Sequence, residues 1–136
     1  VKRLLELELN AAAGKSATDR IKKNPPVGDP DMVAFHLLVN AHVAGFCMAA
    51  RFVEKYGDRD PRPVYLRLMM PKSRPTIEEL IDDAAKTYQK SKYPTLSVEH
   101  TATIKSSFAI GFREGLEFRR AKGDEVIGAE LPQPGA

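Results

Sequence analysis

The sequence predicts a mainly α fold, a helical bundle with one long central helix. Three observations carry this. Met32 to Ala50 contains no Asp, Glu, Lys or Arg in a chain that is 29% charged. Helix start and stop signals bracket that run, and two later segments repeat apolar residues at helical spacing. With 136 residues and 43% hydrophobic content, the chain can bury about two-thirds of its unfolded surface in one core. One domain is expected over residues 1–130, followed by a Pro/Gly tail at 131–136.

The first segment alternates Leu5, Leu7 and Leu9 with Glu6 and Glu8, but Leu, Glu and Ala favour helix, and a helix is expected. The same acids break any signal-peptide core, so no secretory route is predicted. A Pro/Gly loop at 24–28 leads to the central helix, about residues 30–56. Asp29 caps it, Pro30 suits the first turn and Gly57 stops it. Such a helix is about 40 Å long at 1.5 Å per residue. Its apolar residues leave no broad polar face before Arg51, so protein or lipid should surround it. Ala41, Gly45 and Ala49 form a small-residue stripe for close helix packing. His36, Asn40 and His42 are expected to be buried polar groups with hydrogen-bond partners.

After a loop at 57–63, residues 64–70 alternate Val64, Leu66, Leu68 and Met70 with Tyr65, Arg67 and Met69 between Pro63 and Pro71, and read as extended. Thr76 and Glu79 have capping-box spacing and open a helix at about 76–92, ended by Tyr93-Pro94. A last helix, about 96–121, carries Gly111 and Gly115, which are expected to meet the Ala41, Gly45, Ala49 stripe. No internal repeat, heptad or low-complexity tract is evident.

No motif identifies a reaction. Ala13-Gly14-Lys15-Ser16 lacks the first glycine of a phosphate loop, since Leu9 occupies that position. His42 and Cys47 stand about 140° apart around one helix and cannot form a local nucleophile–base pair. Zinc-ligand spacings are absent, and no catalytic residue, metal or cofactor is predicted. The lone Cys47 cannot form an internal disulfide, which favours an intracellular or organellar setting.

Glu78, Glu79, Asp82 and Asp83, with Glu114 and Glu117, resemble the carboxylate clusters with which all-helical nucleotide pyrophosphatases hold magnesium. That resemblance implies a magnesium-dependent nucleotide hydrolase, whereas solvated helix faces explain the same acids. Arg51, Lys55, Arg59, Arg62, Arg67, Lys72 and Arg74 outnumber Glu54, Asp58 and Asp60, with Tyr56 and Tyr65 interspersed. A nucleic-acid surface would use such residues, but the net charge of +3 and pI of 9.0 are modest and no binding motif supports it. The reading that combines most features is a non-catalytic structural or adaptor subunit of a larger protein assembly. Arg51, Arg59, Arg62, Leu66, Arg67 and Leu68 are its candidate partner contacts. A single-span subunit of a membrane complex, a soluble nucleic-acid-binding regulator and the nucleotide hydrolase are the alternatives.

Overall fold

The structure is a computed structural model that describes residues 2–26, 28, 31–57 and 59–123. The expected Asp29-Pro30 start signal and the 131–136 tail lie outside the described residues. The elements are α1 (Glu6–Lys23), α2 (Met32–Tyr56), α3 (Val64–Met69), a 3-10 turn (Pro71–Ser73), α4 (Ile77–Lys92) and α5 (Val98–Lys122), with no strand among the described residues.

Local chemistry sets the helix ends. The Asp31 carboxylate caps α2 by accepting the Val33 and Ala34 N–H groups, and Gly57 ends it at φ +60°, a conformation that L side chains avoid. Thr76 and Glu79 form the reciprocal capping box of α4. Ser97 caps α5 by accepting the His100 N–H, and Gly123 ends that helix at φ +56°.

Val64–Met69 of this segment is helical, which corrects the extended reading. The Pro63 carbonyl accepts the Leu66 and Arg67 N–H groups and closes a first turn. Seven residues are too few to separate a period of two from 3.6, Leu, Met and Arg favour helix, and among the described residues there is no strand for them to pair with.

Packing follows two antiparallel hairpins, α1–α2 and α4–α5. In the first, Leu4 meets Glu54, Asn10 meets Cys47 and Ser16 meets His42. In the second, Glu78 meets Arg113 and Asp82 meets Lys105. The hairpins join through α2 and α5, which run parallel: Asp31 bonds His100, the Ser107 hydroxyl donates to the Leu38 carbonyl, and the backbones of His42 and Phe46 lie against Gly111 and Gly115.

This arrangement contains a repeat that the sequence did not disclose. Adding 66 to a residue number in α2 gives its counterpart in α5. Both helices have 25 residues and stop at a positive-φ glycine. Seven buried α2 positions, Ala41, His42, Gly45, Phe46, Ala49, Ala50 and Val53, correspond to seven buried α5 positions, Ser107, Phe108, Gly111, Phe112, Gly115, Leu116 and Arg119. The contacts are reciprocal: Gly45 faces the Phe108 backbone, and its counterpart Gly111 faces the backbone of His42, the counterpart of Phe108. The outer helices follow, with Asn10–Cys47 matched by Glu78–Arg113 and Arg20–His42 matched by Tyr88–Phe108. The two hairpins are therefore related by an approximate two-fold axis. Between α2 and α5 the sequence keeps only Gly, Phe, Phe and Gly at positions 45, 46, 52 and 57, which is why no repeat is legible.

Apolar clusters cover both sides of the central pair. On the α4 side Leu37, Ala41, Ile81, Ala85, Ile104, Phe108 and Phe112 pack together, and on the α1 side Leu4, Leu9, Ala13, Phe46 and Ala50 do so. By length and composition α2 could also cross a bilayer, with a mean hydropathy of 1.6 over its most apolar window and 33% of that window buried within the fold.

Candidate functional site

Gly45, Gly111 and Gly115 all lie at the α2–α5 crossing, but Gly111 and Gly115 meet the backbones of His42 and Phe46, one residue past Ala41 and Gly45, rather than the small-residue stripe itself. Ala41 and Ala49 are fully buried. A methyl group built on Gly45, Gly111 or Gly115 would stand 2.3, 2.1 or 2.3 Å from a carbonyl oxygen of the facing helix. Only hydrogen fits there, so glycine sets the interhelical distance.

Of the three polar residues expected to be buried, only His42 is, at 0% exposure. His36 and Asn40 are exposed, which corrects that expectation. Asn40 donates to the Tyr93 hydroxyl at 3.5 Å, and His36 lies edge-on to Phe35. Both fall on the α2 face left open by α1 and α5, because α2 is covered on two sides rather than all round.

The basic surface is also revised. Arg51 turns inward, donating to Glu54 at 2.7 Å, to Glu6 at 3.1 Å and to the Leu4 carbonyl at 2.9 Å. Beside it Arg119, fully buried, donates to Glu54 at 3.0 Å and to the Lys2 and Gly123 carbonyls. Glu54 also accepts the Leu4 N–H, so this cluster clamps the start of the chain onto the ends of α2 and α5. Despite the burial that opposes it, these hydrogen bonds hold the Glu54 carboxyl below its ordinary value. Arg62 is locked onto Asp60 at 2.7 Å and the Met70 carbonyl, and Arg59 covers the last carbonyls of α2. Arg67 and Leu68 remain exposed, while Leu66 is half-buried.

The α3 helix is unusual in turning its apolar side outward. Val64, Tyr65, Leu68 and Met69 share a face about 140° wide at 100° per residue, and are 59%, 62%, 77% and 76% exposed. Arg67 flanks it, and Met70, just past the helix, is also exposed. No residue of α3 is buried.

A second feature is a cleft of about 530 Å³ between α1 and α5, floored by α2. At its base Ser16 Oγ lies 2.8 Å from His42 Nε2, Arg20 Nη1 lies 3.3 Å from His42 Nδ1, and Arg20 Nη1 donates to Ser107 Oγ at 2.7 Å. A guanidinium can only donate, so Nδ1 accepts and the imidazole proton sits on Nε2, pointing at Ser16. His42 therefore cannot take the Ser16 proton, and the pair is not an activated nucleophile. Burial, then the Arg20 charge, push the His42 pKa down to about 4, so the imidazole is neutral at pH 7. Sequence reasoning did not bring Ser16, Arg20 and Ser107 together with His42, because these partners lie on three different helices.

The acids of the carboxylate resemblance are spread over separate ion pairs. Glu78 pairs with Arg113, Asp82 with Lys86 and Lys105, and Glu79 serves the α4 cap, whereas Glu114 and Glu117 line the cleft. Among the described residues no three His, Cys, Asp or Glu side chains converge on a point that could hold a metal. Cys47 donates weakly to Asn10, and burial raises its thiol pKa. Comparison with family models, curated proteins and solved structures finds no match.

Proposed function

We propose that this chain is a non-catalytic structural or adaptor subunit that joins other protein subunits through α3. The outward apolar face of α3 carries this reading. A folded domain ordinarily turns the apolar side of a helix toward its own core, and a contiguous exposed apolar patch indicates a surface with a partner. Here the side chains at i, i+1, i+4 and i+5 stand ready to enter a groove on another subunit, the recognition mode of a helix in an apolar groove. Arg67 beside them favours a groove with an acidic rim. The glycine-set α2–α5 crossing and the Glu54–Arg119 cluster fit a rigid support for that helix.

The test compares the native chain with a Leu68→Glu, Met69→Glu variant, each purified from its own cell without detergent and weighed by light scattering. The native chain is expected within a larger assembly. The variant is expected as a free monomer with an unchanged melting temperature, since exposed substitutions shift stability by no more than about 0.5 kcal/mol. A free native monomer, or a variant that stays in the assembly, would overturn the proposal. Extraction only with detergent would overturn it in favour of a membrane-spanning α2.

A further inference from the structure

We propose that the cleft between α1 and α5 binds a small carboxylate with an apolar body, anchored by Arg20. Its volume of about 530 Å³ lies within the range of small-molecule sites, about 300–1,000 Å³.

The anchor is an arginine short of acceptors. Arg20 is half-buried, and its side-chain partners among the described residues are neutral: His42 Nδ1 and Ser107 Oγ, both reached through Nη1. No carboxylate pairs with it among the described residues, and burial alone lowers its pKa. With Nη1 pinned by two groups, the rest of the planar fork is held in place to donate to both oxygens of one carboxylate. Phe118, packed on the buried Phe46 with ring centroids 5.2 Å apart, lines the cleft with Ile110 and supplies a surface for an apolar body.

Pseudo-symmetry shows that the fold can fill these positions with apolar residues. The counterparts of Ser16, Arg20, His42 and Ser107 are Ala84, Tyr88, Phe108 and Ala41. On that side the same positions form an apolar core, with Tyr88 and Phe108 rings 5.5 Å apart. One hairpin fills the position with rings, and the other places an arginine fork in an open cleft. Lys15 and Lys23 on the α1 wall join Arg20 against Asp19, Glu114 and Glu117, so the formal charges of the lining balance, which disfavours a multiply charged anion and admits a ligand that also carries an ammonium group.

The test is an NMR titration of the whole chain at low ionic strength with 3-phenylpropionate, L-phenylalanine and 2-phenylethylamine. Saturable shifts confined to the cleft residues of α1, α2 and α5 are expected for at least one of the two carboxylates, with a Kd of about 1 mM or tighter. Tighter L-phenylalanine binding would identify a zwitterion held also by Glu114 or Glu117, and tighter 3-phenylpropionate binding a simple monocarboxylate. Either order supports the site. Arg20→Gln should weaken binding at least about tenfold, the loss of a charge-assisted hydrogen bond. Ile110→Trp, at a partly exposed lining position away from the polar base, should obstruct the cleft and remove binding, and it decides the matter if Arg20→Gln does not fold. No saturable shift by about 10 mM, equal binding of 2-phenylethylamine, or an unchanged affinity in a folded Arg20→Gln or Ile110→Trp chain would overturn the proposal. These outcomes do not depend on assembly through α3, so the two proposals fail separately.

Discussion

Arg119 and Glu54 show how much of a residue's role is set by distant chain. Arg119 stands near the end of α5, where a sequence reading expects a solvated cation that complements the helix dipole. Instead it is fully buried, because carbonyls from both Gly123 and Lys2 converge on its guanidinium while Glu54 supplies the charge. Arg51 misled for the same reason, since its partners Leu4 and Glu6 lie more than 40 residues upstream. Replacing one member leaves a buried charge poorly compensated, so Arg119→Leu should cost about 3–5 kcal/mol in denaturant unfolding. Adding Glu54→Gln to that variant should cost less than the two single losses combined. His42 makes a separate prediction. Its folded pKa of about 4 lies below the ordinary 6.5, so the unfolded chain binds the extra proton between those values. The contribution of this group to stability is present above pH 6.5 and is lost as pH falls toward 4. Glu54, held below its ordinary 4.5, loses its own contribution only at lower pH. Between pH 6.5 and 4.5, the slope of stability against pH should therefore flatten in a His42→Gln variant, as read by denaturant midpoints.

Glycines separate into two classes at the scale of the helix. The four-residue spacing of Ala41, Gly45 and Ala49, and of Gly111 and Gly115, was legible as a tendency to pack closely. The parallel direction and the reciprocal register were not, because they depend on which hairpin each helix belongs to. Gly45→Ala or Gly115→Ala would drive a methyl group into a backbone carbonyl, and should lower stability by about 1–3 kcal/mol as overpacking that outweighs the helix-propensity gain. Gly14 lies inside α1 with no atom within 4 Å of an added methyl group. Gly14→Ala should therefore stabilise by up to about 1 kcal/mol, and thermal melts of the variants should move in opposite directions. The helix ends at Thr76 and Gly57 were readable because caps are local chemistry. The state of α3 was not, because a segment of seven alternating residues fits a strand or a short helix until its neighbours are known.

Across the whole molecule, the approximate two-fold relation turns one hairpin into a control for the other. Both bury equivalent positions on their long helices, yet the α4–α5 side closes with an aromatic core, while the α1–α2 side places Ser16, Arg20, His42 and Ser107 around an open cleft. A buried polar set is commonly neutral or unfavourable for stability relative to well-packed apolar residues of similar volume. If its role here is recognition, converting it to the residues of the other side should separate stability from binding. The variant is Ser16→Ala, Arg20→Tyr, His42→Phe and Ser107→Ala, which copies Ala84, Tyr88, Phe108 and Ala41. Its melting temperature should match or exceed that of the native chain, since every buried group left behind is apolar or has a counterpart already accommodated by the fold. Its cleft should no longer bind the phenyl carboxylates, and its assembly through α3 should be unchanged. Loss of cooperative unfolding in this variant would instead make the Arg20–His42–Ser107 cluster a structural requirement that the two-fold relation does not reveal.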